Sequence, residues 1–222
     1  MNHATRTIVA TLGVIFAISG MSHGFFETLQ GNTPTNGVFI NAIGEAQRMW
    51  PYGSEAAFTL IPNFLITGIA AIAVSFAIIV WSVGFVHTRH GATVFLLLFI
   101  LLFLVGGGIA QIVFFTIGWA FATRINKPLT WWRKVLPEGA RGTLARVWPW
   151  SLAVSSLLFV LALGIAIFGY VPGVEDADQR LSIVFASLGV GLILLIVSFV
   201  SGFADDIQTD VHRTPDMRPR RA

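Results

Sequence analysis

The chain has 222 residues, of which 55% are hydrophobic and 11% charged, with no cysteine and a formal charge of +3. A soluble domain carries about a quarter charged residues, so the solvent for most of this chain is lipid, and its length suits one helical bundle rather than several domains. The missing cysteines exclude disulfides, thiolate metal sites, cysteine nucleophiles, c-type haem attachment and cysteine-ligated iron–sulfur clusters.

The first apolar segment runs from Thr7 to Phe26 behind Arg6. Its Ile8–Ser19 stretch has the look of a signal-peptide core, but a bulky, polar His-Gly-Phe-Phe-Glu run follows without a small-x-small cleavage site, so a retained helix is expected. Near its end stand Ser19, His23, Glu27 and Gln30, spaced four, four and three apart. On a helix they share one face, with imidazole and carboxylate one turn apart. An ionisable pair at a bilayer edge is costly, which points to proton handling or to binding of a polar ligand. The plainer reading is a polar helix end at the headgroups, with Glu27 reaching water.

The Glu27–Glu55 loop has turn formers (Gly31-Asn32, Asn36-Gly37, Pro51-Tyr52-Gly53) around an apolar Val38-Phe39-Ile40 stretch. It reads as a surface hairpin or short interfacial helix with Trp50 and Tyr52 as anchors; the sharper alternative is a cap over a cavity. The second segment, Pro62–Val86, opens with Asn63, which suits either a cavity wall or a bond to a neighbouring helix. His87 and His90 flank Arg89 in the next turn and read as solvated.

The third segment, Ala92–Phe121, makes a helix of ~45 Å if continuous, too long for a ~30 Å hydrocarbon core without steep tilt. Gly106, Gly107 and Gly108 interrupt it, followed by Gln111. It either crosses once or breaks at the glycines into a hairpin, re-entrant or of two short spans; the hairpin is the reading adopted. A hairpin gathers Arg6, Arg89, the basic Arg124–Arg146 loop and the arginine-rich tail on one side, leaving Arg48 and Arg180 on the other. Basic residues mark the cytoplasmic side, and the single-crossing arrangement sorts them nearly as well. Either way, the Arg124–Arg146 loop and the tail are expected to be cytoplasmic.

That loop carries Thr130-Trp131-Trp132-Arg133-Lys134 and Arg146-Val147-Trp148-Pro149-Trp150, the composition of a headgroup anchor on anionic lipid. Segments four and five, Ser151–Tyr170 and Leu181–Phe203, contain serines and glycines that allow close helix packing. The acidic Val171–Arg180 loop between them is expected outside. Residues 205–222 form a basic, proline-broken tail, expected to be disordered. No nucleotide loop, dinucleotide fingerprint, nucleophile elbow, zinc-protease helix, potassium filter or arginine ladder is present.

The runs Ser22-His23-Gly24-Phe25-Phe26-Glu27-Thr28-Leu29-Gln30-Gly31-Asn32, Pro62-Asn63, Val105-Gly106-Gly107-Gly108 and Pro128-Leu129-Thr130-Trp131-Trp132-Arg133 resemble those of a set of uncharacterised small prokaryotic multi-pass membrane proteins. The resemblance covers roughly residues 20 to 135 and implies a break at the glycines; it brings no activity. Prolines follow the triple glycine in that family, where this chain has Ile109-Ala110-Gln111.

The expected fold is therefore all-α: a polytopic transmembrane bundle with five hydrophobic segments, the third broken at Gly106–Gly108, giving six helices. Residues 1–204 form one domain and 205–222 the tail. The expected site is a small-molecule or ion binding or permeation site near the outer interface, with His23, Glu27, Gln30, Asn63 and Gln111 as ligand-binding or proton-handling candidates. A structural or accessory role in a larger membrane complex is the alternative, and intramembrane catalysis a distant third, with no catalytic residue assigned. No cofactor, metal or nucleic acid is expected. The expected partners are the bilayer, anionic lipid at the cytoplasmic face, and copies of the chain or subunits of a complex. The expected location is the plasma (inner) membrane, with the C-terminus cytoplasmic.

Overall fold

The computed structural model describes residues 1–213. Helix α1 (His3–Leu29) leads into two short strands, β1 (Phe39–Asn41) and β2 (Ala56–Thr59), then α2 (Phe64–Gly84) and α3 (Gly91–Leu104). A third strand, β3 (Val105–Gly108), separates α3 from α4 (Gln111–Ala122). Two short helices, α5 (Thr130–Val135) and α6 (Glu138–Ala145), precede the long pair α7 (Trp148–Phe168) and α8 (Ala177–Arg213). Among the described residues, α1, α2, α7 and α8 are long and apolar enough to cross a membrane, and α3 and α4 are shorter apolar helices. The chain is built as a helical membrane protein.

The third apolar segment does not form one helix. By rise per residue α3 and α4 span only ~21 and ~18 Å, and the chain entering α3 meets the chain leaving α4: Asn126 Nδ2 donates to His87 O at 2.6 Å. The polypeptide thus goes in along α3, turns at the glycines and comes back along α4. Such a turn frees backbone groups that lipid cannot satisfy. Strand β2, the residue after it and Thr67 on α2 supply partners. Strand order is β1-β2-β3, antiparallel throughout, with Ala57 opposite Gly108 and Thr59 opposite Val105. Leu60 N donates to Leu104 O (2.9 Å), Ile109 N to Ala56 O (3.2 Å), and Thr67 Oγ1 to Val105 O (2.8 Å). All four residues of β3 are buried. Strands were not part of the all-helical expectation: the alternation in Ala56–Thr59 is short, and its partner is a glycine run with no strand pattern of its own.

Helix α1 is central and packs against α2, α4, α7, α8 and β3. Its closest neighbour is α2, because Gly24 and Gly68 bring the two backbones together; a methyl on Gly24 Cα would lie 2.6 Å from Gly68 O. At the opposite end of the bundle the α1 start is tied to distant chain. Asp206 accepts from Ala4 N (2.9 Å), Thr5 N (3.0 Å) and Thr5 Oγ1 (2.6 Å), and Asn2 N donates to Ile125 O (2.7 Å). Both ends of the described chain therefore lie at the same end of the bundle.

At ~55 Å, α8 outruns any bilayer core. Instead of a disordered tail from residue 205, helix continues to Arg213, and residues 214–222 lie outside the described residues. Helices α5 and α6 fold onto this extension through Leu129, Leu136, Phe203, Ala204 and Ile207, with Trp132 against Phe203 (4.8 Å between ring centres) and Arg133 paired to Asp210 at 2.9 Å. Burial along one side explains why this stretch stays helical despite its polar composition. Trp131 and Trp150 remain exposed.

Candidate functional site

The polar face of α1 divides among three destinations. Ser19 and His23 face a cavity of about 330 Å³ between α1, α4, the β2–β3 end of the sheet and the α7–α8 pair. Its inner end is a cluster of rings: Phe16 stacks on Phe114 at 4.3 Å, and Phe159 meets both edge-on at 5.5 and 5.2 Å. Ala162 and Ala166 on α7 leave the space open.

The polar end is held by two contacts. His23 Nε2 forms an ion pair with Glu55 Oε2, and Gln111 Nε2 donates to Ser19 Oγ at 3.2 Å. His23 is 4% exposed, and its Nδ1 has no hydrogen-bond partner among the described residues. Glu55 comes from the residue before β2, fixed because its carbonyl accepts from Ala42 N at 2.9 Å in register with the β1–β2 pairing. Burial alone would raise its carboxyl group, but the charge and hydrogen bond of His23 outweigh burial and hold it below the usual carboxylate range.

Glu27 points elsewhere. It is fully buried, and neither carboxyl oxygen has a partner among the described residues. It lies against Gly106, whose φ of +108° belongs to glycine and whose Cα could carry no methyl without striking the carboxyl group. One turn earlier, Gly108 does the same for His23: a methyl there would lie 2.7 Å from the imidazole Cε1. The triple glycine thus has two uses, a reversal of the chain and a fit against two ionisable side chains on α1. The plainer reading, with Glu27 reaching water, is replaced by complete enclosure.

Gln30 and Asn63 do not reach the cavity. Gln30 Nε2 donates to Asn41 O (3.1 Å) and Ala42 O (2.8 Å), fastening the loop at the end of α1. Asn63 caps α2, accepting from Ile66 N at 3.1 Å, and donates to Asn32 Oδ1 at 2.7 Å. Both are polar because loop carbonyls and a helix end need partners. Trp50 is no lipid anchor: it is buried, donates through Nε1 to Ala166 O at 2.9 Å, and covers Gly169. Tyr52, still exposed, bonds Asp178. These contacts clip the loop to the α7–α8 pair, so it caps the bundle instead of lying on its surface.

Glu55 is the site residue that the sequence did not single out. A lone carboxylate at a loop end carries no motif, and its partner is fixed only by strand pairing. No group of three or more histidine or acidic side chains able to hold a metal occurs among the described residues.

Fold and site together define a helical membrane protein with a polar-ended cavity inside the bundle. No family model, curated protein or solved structure matches the chain.

Proposed function

We propose that this protein binds a small molecule at the polar end of the cavity, near the outer face of a prokaryotic inner membrane. The observation that carries this reading is the His23–Glu55 pair: an ionisable side chain 4% exposed, with Nδ1 unpartnered, at the wall of an open cavity. Buried polar groups are ordinarily satisfied, and an ion pair kept at an otherwise apolar cavity wall supports a polar attachment point there. Gln111 and Ser19 add a second point of attachment, and the volume lies at the small end of the range for small-molecule pockets.

Charge supports an orientation. Arg6, Arg89 and the basic 124–146 stretch gather at the end that holds both ends of the described chain; basic residues favour the cytoplasmic side, which supports a cytoplasmic position for that end and an outer one for the sheet and cavity.

The test is thermal stability of the detergent-purified protein against a panel of sugars, amino acids, polyols, alkanols and quinones. A stabilising compound whose effect disappears in His23→Ala, while that variant remains folded by circular dichroism, supports the reading. Equal stabilisation of wild type and His23→Ala by every active compound, or stabilisation by none, removes it.

A further inference from the structure

Resting on that binding site, we propose its ligand class: an uncharged, single-chain amphiphile with a carbonyl or hydroxyl head, which reaches the cavity sideways from the bilayer.

The cavity is polar at one end only. Away from His23, Glu55, Gln111 and Ser19 its walls are aromatic and aliphatic, and burying such surface against a water-soluble ligand gains nothing. An alkyl or isoprenoid chain that arrives from lipid leaves no water behind, so its gain is the dispersion contact of filling the space that Ala162 and Ala166 leave beside the Phe16–Phe114–Phe159 cluster.

The head is uncharged because the site supplies no counter-charge. His23 and Glu55 are the ionisable side chains lining the cavity, and they are already paired. No lysine or arginine is among the cavity's lining residues. A carboxylate, phosphate or ammonium head there is left uncompensated in apolar surroundings, which costs several kcal/mol. A carbonyl or hydroxyl head meets complementary groups instead: the Ser19 hydroxyl, which accepts from Gln111 and keeps its own proton to donate, beside the His23–Glu55 pair.

Access is lateral. On the sheet side, Ser54, Glu55 and Ala56 line the cavity, with Glu55 tied to His23 and Ala56 exposed. Ala110 at the start of α4 and Phe185 on α8 line the cavity and are themselves exposed, Phe185 by 65%. Phe185 lies within the apolar length of α8, so this mouth faces lipid. A chain longer than the cavity trails out through it.

The experiment is photolabelling of the full-length protein in nanodiscs with a long-chain alcohol bearing a mid-chain diazirine, with labelled peptides mapped by mass spectrometry. The expected result is labelling of α7 and α8 around Leu163 and Phe185. Decanol or a decyl-substituted benzoquinone should compete at least tenfold better than decanoate, decylamine or a benzoquinone without a chain, and the stronger of the two neutral competitors distinguishes an alcohol from a quinone head. Ala162→Phe, which fills the chain channel, should remove the labelling; Ala166→Leu serves if that variant does not fold. Competition by the chainless quinone as good as by the decyl compounds overturns the amphiphile proposal and leaves the polar binding site standing. Labelling that ignores both filling variants, or that spares α7 and α8, also overturns it.

Discussion

Glu55 closes an ion pair on His23 from the far side of a loop, and that contact joins the sheet to the central helix at the polar end of the cavity. The pair has a pH signature. The Glu55 carboxyl group sits below its ordinary value in the folded protein, so the unfolded state binds its proton first as pH falls. Its stabilisation is fully present above the unfolded carboxylate value of ~4.3 and is lost as pH drops through the lower folded value. Thermal midpoints between about pH 6 and pH 3 should therefore fall more steeply for wild type than for Glu55→Gln.

Removing only one partner should cost more than removing both. His23→Ala leaves the Glu55 carboxylate without its cation, at about 1–3 kcal/mol, while His23→Ala with Glu55→Ala should recover part of that loss. Stability of the two single variants and the double variant gives the coupling directly.

Gly106→Ala should be severe. The substitution puts a methyl group at φ +108° and into the Glu27 carboxyl group, a combined cost of about 2–4 kcal/mol or failure to fold. Shortening the opposing side chain with Glu27→Ala relieves the collision but not the backbone strain. Partial rescue of expression by Gly106→Ala with Glu27→Ala, relative to Gly106→Ala alone, is the expected outcome in a gel-filtration comparison.

Glu27→Gln should leave stability unchanged within about 1 kcal/mol or raise it. The carboxyl group is buried without a partner, so an isosteric amide gives up no hydrogen bond. A residue held at a cost to stability is a candidate for function, and ligand stabilisation measured on this folded variant shows whether Glu27 takes part in binding.

At the other end, Asp206→Ala should cost about 1–2 kcal/mol. It strips three donors in the first turn of α1 of their acceptor. Asp206→Asn keeps one side-chain acceptor oxygen and should recover about half, as read from thermal unfolding.

The absence of native cysteine makes orientation directly measurable. Single substitutions Gly139→Cys and Glu175→Cys, treated on intact cells with a membrane-impermeant maleimide, should label only at position 175. Labelling at position 139 alone reverses the proposed orientation.

Much of the fold was legible in the chain. The apolar runs produced four long helices, because a chain in lipid must pair its own amides along each segment, and length and hydropathy then suffice to locate the helices. The glycine break was legible for a related reason: the third run was too long for one crossing and carried three residues without side chains at its middle. His23, Ser19 and Gln111 were visible as polar groups in apolar surroundings, and all three reach the cavity.

Tertiary structure alone decided what those polar groups face. Gln30 and Asn63 looked equivalent to His23 and Gln111, yet loop carbonyls, an asparagine and a helix end claim them. Trp50 looked like an anchor until its ring was seen to close over Gly169. Glu55 gave no local signal, since strand pairing between residues far apart in sequence sets its position, as it sets the match between Gly106 and Glu27. Local sequence encodes hydropathy and helical period, which act over a few residues; the cavity and its ion pair come from long-range packing, which no short window of sequence contains.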